Sequence, residues 1–106
     1  MKIRIFDSAK LDLLDGYSFY EHQASGVGQY FLDSLYADID SLALYAGIHP
    51  KKLGAFYWML AKRFPYAIYY TVVDDLVSVH AVLDCRQDPG RIEDRLSQQR
   101  KRRWIQ

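Results

Sequence analysis

The chain has a single cysteine, Cys85, which excludes an internal disulfide, and no paired Cys/His spacing supplies the ligands of a structural zinc site. It also lacks any uncharged run approaching the ~18 residues that a membrane span needs. The first residues, Met1-Lys2-Ile3-Arg4, run directly into a strand pattern and then meet Asp7, Asp12 and Asp15, a pattern no secretory signal carries. Internal repeats are missing, and so is low-complexity sequence apart from a basic end. The expectation is a soluble protein in a reduced, cytosolic setting that needs no membrane, metal or cofactor.

What is present points to a packed core. Half of the 106 residues are hydrophobic and 15% are aromatic, nine of them tyrosine, which suits one globular domain and not a disordered chain. The net charge of +1 conceals two opposed halves. Residues 1–50 carry three basic and seven acidic side chains, and residues 51–106 carry eleven basic and six acidic. The second half therefore suits an anionic partner, whether nucleic acid or acidic peptide. Residues 1–99 read as the domain and 100–106 as a basic tail, Arg100-Lys101-Arg102-Arg103, which is either a solubilising end or an anion binder.

Ile3 and Ile5 alternate with Arg4 and Phe6 in a short first strand. Ser8 offers an N-cap, and Asp12 in the first turn suits the helix dipole. Ala9, Leu13, Tyr17 and Tyr20 then recur at helical spacing to about His22, with Gly16 costing that helix about 1 kcal/mol relative to alanine. After Ser25-Gly26 and Gly28, a second helix carries the stripe Phe31, Leu35, Ile39, Leu42 and Ala46, with Asp33, Asp38 and Asp40 mostly off it. Gly47 and Pro50 end this helix.

Phe56 to Arg63 predicts a second strand, and Phe64-Pro65 links it to strands at Tyr66–Val73 and Leu76–Leu83. With Asp74-Asp75 as a two-residue hairpin loop, Val73 faces Leu76, Tyr70 faces Val79 and Tyr69 faces His80. Alternation then assigns Tyr66, Ile68, Tyr70, Val72, Val77, Val79, Ala81 and Leu83 to the face under the helices. Ala67, Tyr69, Thr71, Val73, Leu76, Ser78, His80 and Val82 fall on the open face, where a site on the sheet would lie. A short helix from Gly90 to Gln99 closes the order β-α-α-β-β-β-α. The fold class is α+β, a helical hairpin on a mostly antiparallel four-stranded sheet.

That order and several segments resemble the RelE/ParE toxin superfamily of bacterial type II toxin–antitoxin, or plasmid stabilisation, systems. The segments are Ala9 with Asp12-Leu13 opening the first helix, the long second helix, Phe64-Pro65-Tyr66-Ala67-Ile68-Tyr69-Tyr70, and Val82-Leu83-Asp84-Cys85-Arg86-Gln87-Asp88-Pro89. The resemblance implies a toxin held inactive by a cognate antitoxin that lays an extended or helical segment over it, with apolar anchors and acidic side chains. RelE-like members cleave mRNA in the ribosome, and ParE-like members inhibit DNA gyrase by binding it.

Cleavage through a ribose 2′-OH needs a base, cations for the phosphorane charge and an acid for the leaving oxygen. The candidates are Tyr69, His80 and Arg86, with Lys62 beside them. RelE-like nucleases have an arginine where this chain has Ala67 and a tyrosine near Ile92, so the ParE-like reading is favoured. A degenerate toxin that only binds antitoxin is a further alternative. His80 reads either as a hydrogen-bonded surface residue or as an acid–base group, and Arg86 either pins its loop through Asp84 or Asp88 or binds a partner. Cys85 reads as a small buried residue. Candidate partner-binding residues are Trp58, Lys62, Tyr69, His80, Arg86, Arg91 and Arg95.

Overall fold

A computed structural model describes the backbone of residues 1–52 and 54–105, and the side chains of those up to residue 99. The elements are β1 (Lys2–Ile5), α1 (Asp7–Gln23), α2 (Val27–Asp40), α3 (Leu42–Tyr45), β2 (Lys51–Lys52), β3 (Phe56–Leu60), β4 (Tyr66–Val73), β5 (Leu76–Asp84) and α4 (Pro89–Ile105). The sheet order is β1-β5-β4-β3-β2, with β1 parallel to β5 and every other pair antiparallel. The α+β class and the helical hairpin on the sheet are as expected. The sheet has five strands instead of four, because Lys51–Lys52, which no apolar alternation marks, pairs with Tyr57 and Phe56.

The hairpin seam explains the glycine inside α1. A Cβ on Gly16 would lie 2.4 Å from the Phe31 ring, and one on Gly28 would lie 2.8 Å from the Tyr17 carbonyl, so both glycines let α1 and α2 approach closely. The Glu21 carboxylate accepts from the Gly26 and Gly28 N–H groups, satisfying donors left open at the start of α2. The apolar stripe of the second helix is buried from Phe31 to Leu42, with Ala46 half-buried beyond it, although the helix breaks at Ser41 into α2 and α3. Asp38 departs from the expected outward placement: it is buried and accepts from the Lys62 N–H at 3.0 Å, fixing the loop after β3.

The β4–β5 hairpin turns at Asp74, whose φ of 53° is left-handed, and the counted register holds from Val73–Leu76 to Tyr70–Val79. There it shifts, because Tyr69 pairs with Ala81 and His80 becomes the extra residue of a β-bulge. A one-residue slip exchanges faces. Val82 therefore joins the core under α1 and α2, while Ala81 and Leu83 pass to the opposite face. The expected pairing of Tyr69 with His80 is corrected accordingly.

That opposite face is not open. Ala67, Tyr69, Ala81 and Leu83 are buried with Phe56 against Ile92 and Leu96 of α4. The protein is thus three layers, with the helical hairpin on one side of the sheet and α4 on the other. α4 runs on to Ile105, longer than the expected short helix, and β3 ends at Leu60 instead of Arg63. The side chains of the basic tail, 100–106, lie outside the described residues.

Candidate functional site

The bulge creates the chemical centre of the molecule, because an extra residue leaves backbone groups without ladder partners. Ser8 does not cap α1, which starts at Asp7 behind Phe6; its hydroxyl instead donates to the His80 carbonyl at 2.9 Å. Four residues on, and so on the same side of α1, Asp12 accepts from the Val82 N–H at 3.0 Å. The Arg95 guanidinium meets the same carboxylate with two bonds, 2.9 and 2.8 Å long, and also donates to the Ser8 carbonyl at 3.3 Å. Asp12 therefore joins α1, the bulge and α4 at one node. Its burial pushes the carboxyl up, more than Arg95 and the Val82 N–H pull it down.

Beside this node lies a polar cleft of about 370 Å³, lined by Asp12, Asp15, Phe19, Tyr66, Asp84, Gln87, Arg91 and Arg95 among others. Burial first, and then the Asp84 charge, pushes the Tyr66 phenol up to about 12, so it remains a neutral hydrogen-bonding group at ordinary pH. At the cleft edge Arg86 is clamped to Asp84, with its Nε 2.9 Å and an Nη 2.7 Å from the carboxylate oxygens. The Arg86 N–H bonds the same carboxylate at 2.8 Å, and the guanidinium reaches the Tyr20 hydroxyl at 3.5 Å. Arg86 thus pins its loop. That bond from Arg86 holds the Asp84 carboxyl below the ordinary carboxylate range.

The other residues singled out in the sequence do not converge on Arg86. Tyr69 is 3% exposed and His80 is 2% exposed, so neither stands on an open surface. His80 Nε2 and Thr71 Oγ1 are hydrogen-bonded at 2.9 Å, and the imidazole packs between the Phe6 and Phe56 rings. Burial pushes the Tyr69 phenol up. Arg91 is exposed on the cleft, while Arg95 is committed to Asp12. Cys85 is exposed, against the expected burial; loss of solvent contact around its sulfur and the nearby Asp84 charge raise its thiol.

Trp58 and Lys62 lie elsewhere, on a mainly apolar groove of about 600 Å³ at the β3 edge, with Ser41, Tyr45, Ile48, His49, Pro50, Met59 and Leu60. The wall of this groove hangs on Tyr70, whose hydroxyl oxygen accepts from the Gly47 N–H at 3.0 Å and lies 2.5 Å from His49 Nδ1. Burial lowers the His49 pKa, favouring a neutral ring that accepts from the hydroxyl. Sequence reasoning missed His49, Asp12 and Tyr20 as site-forming groups. His49 and Tyr20 carry no local signal for these roles, and Asp12 looked sufficient as a helix-dipole residue.

Among the described residues no group of three or more His, Cys, Asp or Glu side chains could hold a metal ion, and no helix is long and apolar enough to cross a membrane.

A helical hairpin thus lies on one face of an antiparallel sheet with a parallel first strand, and a C-terminal helix lies on the other. A chain of a solved structure described as the chromosomal ParDE TA system from P. aeruginosa matches this arrangement with a TM-score of 0.72 over 77% of this chain and 92% of that one, at 14% sequence identity. No protein-family model and no curated protein sequence matches this chain.

Proposed function

We propose that this protein is the toxin of a type II toxin–antitoxin pair, of the ParE-like kind, which binds and inhibits DNA gyrase in the cytoplasm and is neutralised by a cognate antitoxin. The fold shared with the ParDE chain supports the toxin reading. The observation carrying the choice of branch is the covered sheet face: Tyr69 is buried beneath α4, His80 is buried between Phe6 and Phe56, and of the two cations expected beside them Arg86 is held by Asp84 and Lys62 lies in the other groove. Phosphate binding there would compete with a charge-assisted clamp on Arg86, and proton transfer by Tyr69 would require lifting a helix. Binding through exposed surfaces requires neither.

The test is expression from an inducible promoter together with two assays on purified protein. Growth arrest, with loss of supercoiling by gyrase and intact mRNA on programmed ribosomes, is the expected outcome. Cleaved mRNA with unaffected supercoiling would overturn the gyrase reading in favour of a ribosome-dependent endoribonuclease.

A further inference from the structure

The polar cleft between α1 and α4 holds a hydroxyl that no protein group satisfies. Tyr66 is 7% exposed, and its ring lies in edge contact with Phe31 at 4.9 Å and near Tyr20 at 6.3 Å. Its hydroxyl has no hydrogen-bond partner among the described residues. No fully buried polar side-chain atom among them lacks a partner, so this oxygen opens into the cleft that Tyr66 lines. A phenol so deeply buried is ordinarily hydrogen-bonded.

The charges around it divide into committed and uncommitted groups. Asp12 is answered by the two bonds from Arg95, and Asp84 by the clamp of Arg86. Asp15, three residues on from Asp12 and so on the same side of α1, takes part in no ion pair among the described residues, and neither does Arg91 of α4. At Tyr66 burial raises the phenol most, and after it the Asp84 charge raises it more than Arg86 lowers it, with Asp15 adding to the rise. The field at the hydroxyl is therefore that of an anionic site. Phe19, one turn beyond Asp15, adds a half-exposed aromatic ring to the same wall. An anion in this cleft would face three carboxylates and gain only Arg91. A cation finds an uncommitted carboxylate, a phenol oxygen that can accept, and an aromatic ring.

We propose that this cleft is a binding site for an organic cation, a guanidinium or primary ammonium head on a short alkyl chain. The head donates to the Tyr66 hydroxyl and the Asp15 carboxylate, the charges of Asp12 and Asp84 favour it further, and the chain lies against Phe19. The cleft volume of about 370 Å³ gives room for a head and chain the size of an arginine or lysine side chain. Arg91 works against the ligand and so limits how tightly it is held. This site does not depend on the toxin reading.

The probe is butylguanidinium chloride, titrated into the full chain with NMR as the readout and sodium butyrate as the anionic control. Saturable shifts centred on Asp15, Phe19 and Tyr66 are expected with a Kd of about a millimolar, the range of a small fragment, and none with butyrate. Tyr66→Phe removes only the hydroxyl and Asp15→Asn only an exposed charge, so both should fold. Each should weaken binding about tenfold. Arg91→Gln should tighten it about threefold. Equal binding of butyrate, shifts confined to another surface, unchanged affinity in Tyr66→Phe or Asp15→Asn, weaker binding in Arg91→Gln, or no saturation at about 50 mM probe would each overturn the inference. A second titration with acetyl-glycyl-arginyl-glycinamide separates two sources of the same head. Tighter binding than butylguanidinium supports an arginine side chain of a partner protein as the occupant, and weaker binding supports a free small cation.

Discussion

Arg86 lost its ambiguity through its partner. Its clamp on Asp84 depresses the folded carboxyl, so this contribution to stability is present above the unfolded value near ~3.9 and disappears as pH falls through the lower folded one. Arg86→Ala should therefore separate from wild type in urea melts near neutral pH and converge with it in acid. Both groups meet solvent, so the separation should be small. At Gly16 the competing effects are helix propensity and space. Alanine gains about 1 kcal/mol as a helix former but drives a methyl into the Phe31 ring at 2.4 Å, an overpacking that costs about 1–3 kcal/mol. Gly16→Ala should lower the urea midpoint, whereas a rise would show that the ring moves aside easily.

Among the elements, α1 and α4 are coupled through the bulge of β5. Asp12→Ala leaves the Val82 N–H and the Arg95 guanidinium without their acceptor, and should cost about 3 kcal/mol with faster exchange of the Val82 amide. Asp12→Asn keeps an acceptor for Val82 and should cost less. Leu96 is fully buried on α4 against the second sheet face, so Leu96→Ala should cost about 2–5 kcal/mol and loosen the cover over Tyr69. Faster exchange confined to the α4 side of the sheet would mark that effect. The strands beyond β3 show the same dependence on context: Lys51–Lys52 is a strand only because the Phe56–Tyr57 edge is there to pair with.

Over the whole molecule, two concave surfaces stand out among the described residues, the polar cleft by Tyr66 and the apolar groove at the β3 edge. On the proposed toxin reading, inducible expression should arrest growth and co-expression of a cognate antitoxin should restore it, measured as colony counts. Local pattern alone determined the helical hairpin, the turn at Asp74-Asp75, four of the strands and the buried stripe, because helical and strand periodicity and turn chemistry act over a few neighbouring residues. Tertiary structure alone decided the rest. A bulge at His80 is stable only where Ser8 and Asp12, some seventy residues earlier in the chain, satisfy its stranded backbone groups. Once it forms, Ala81, Val82 and Leu83 change faces, α4 finds an apolar surface to cover, and Arg95 finds Asp12 across 83 residues. The sequence alone therefore left Tyr69 and His80 on an open face, and long-range pairing of backbone polar groups placed them inside.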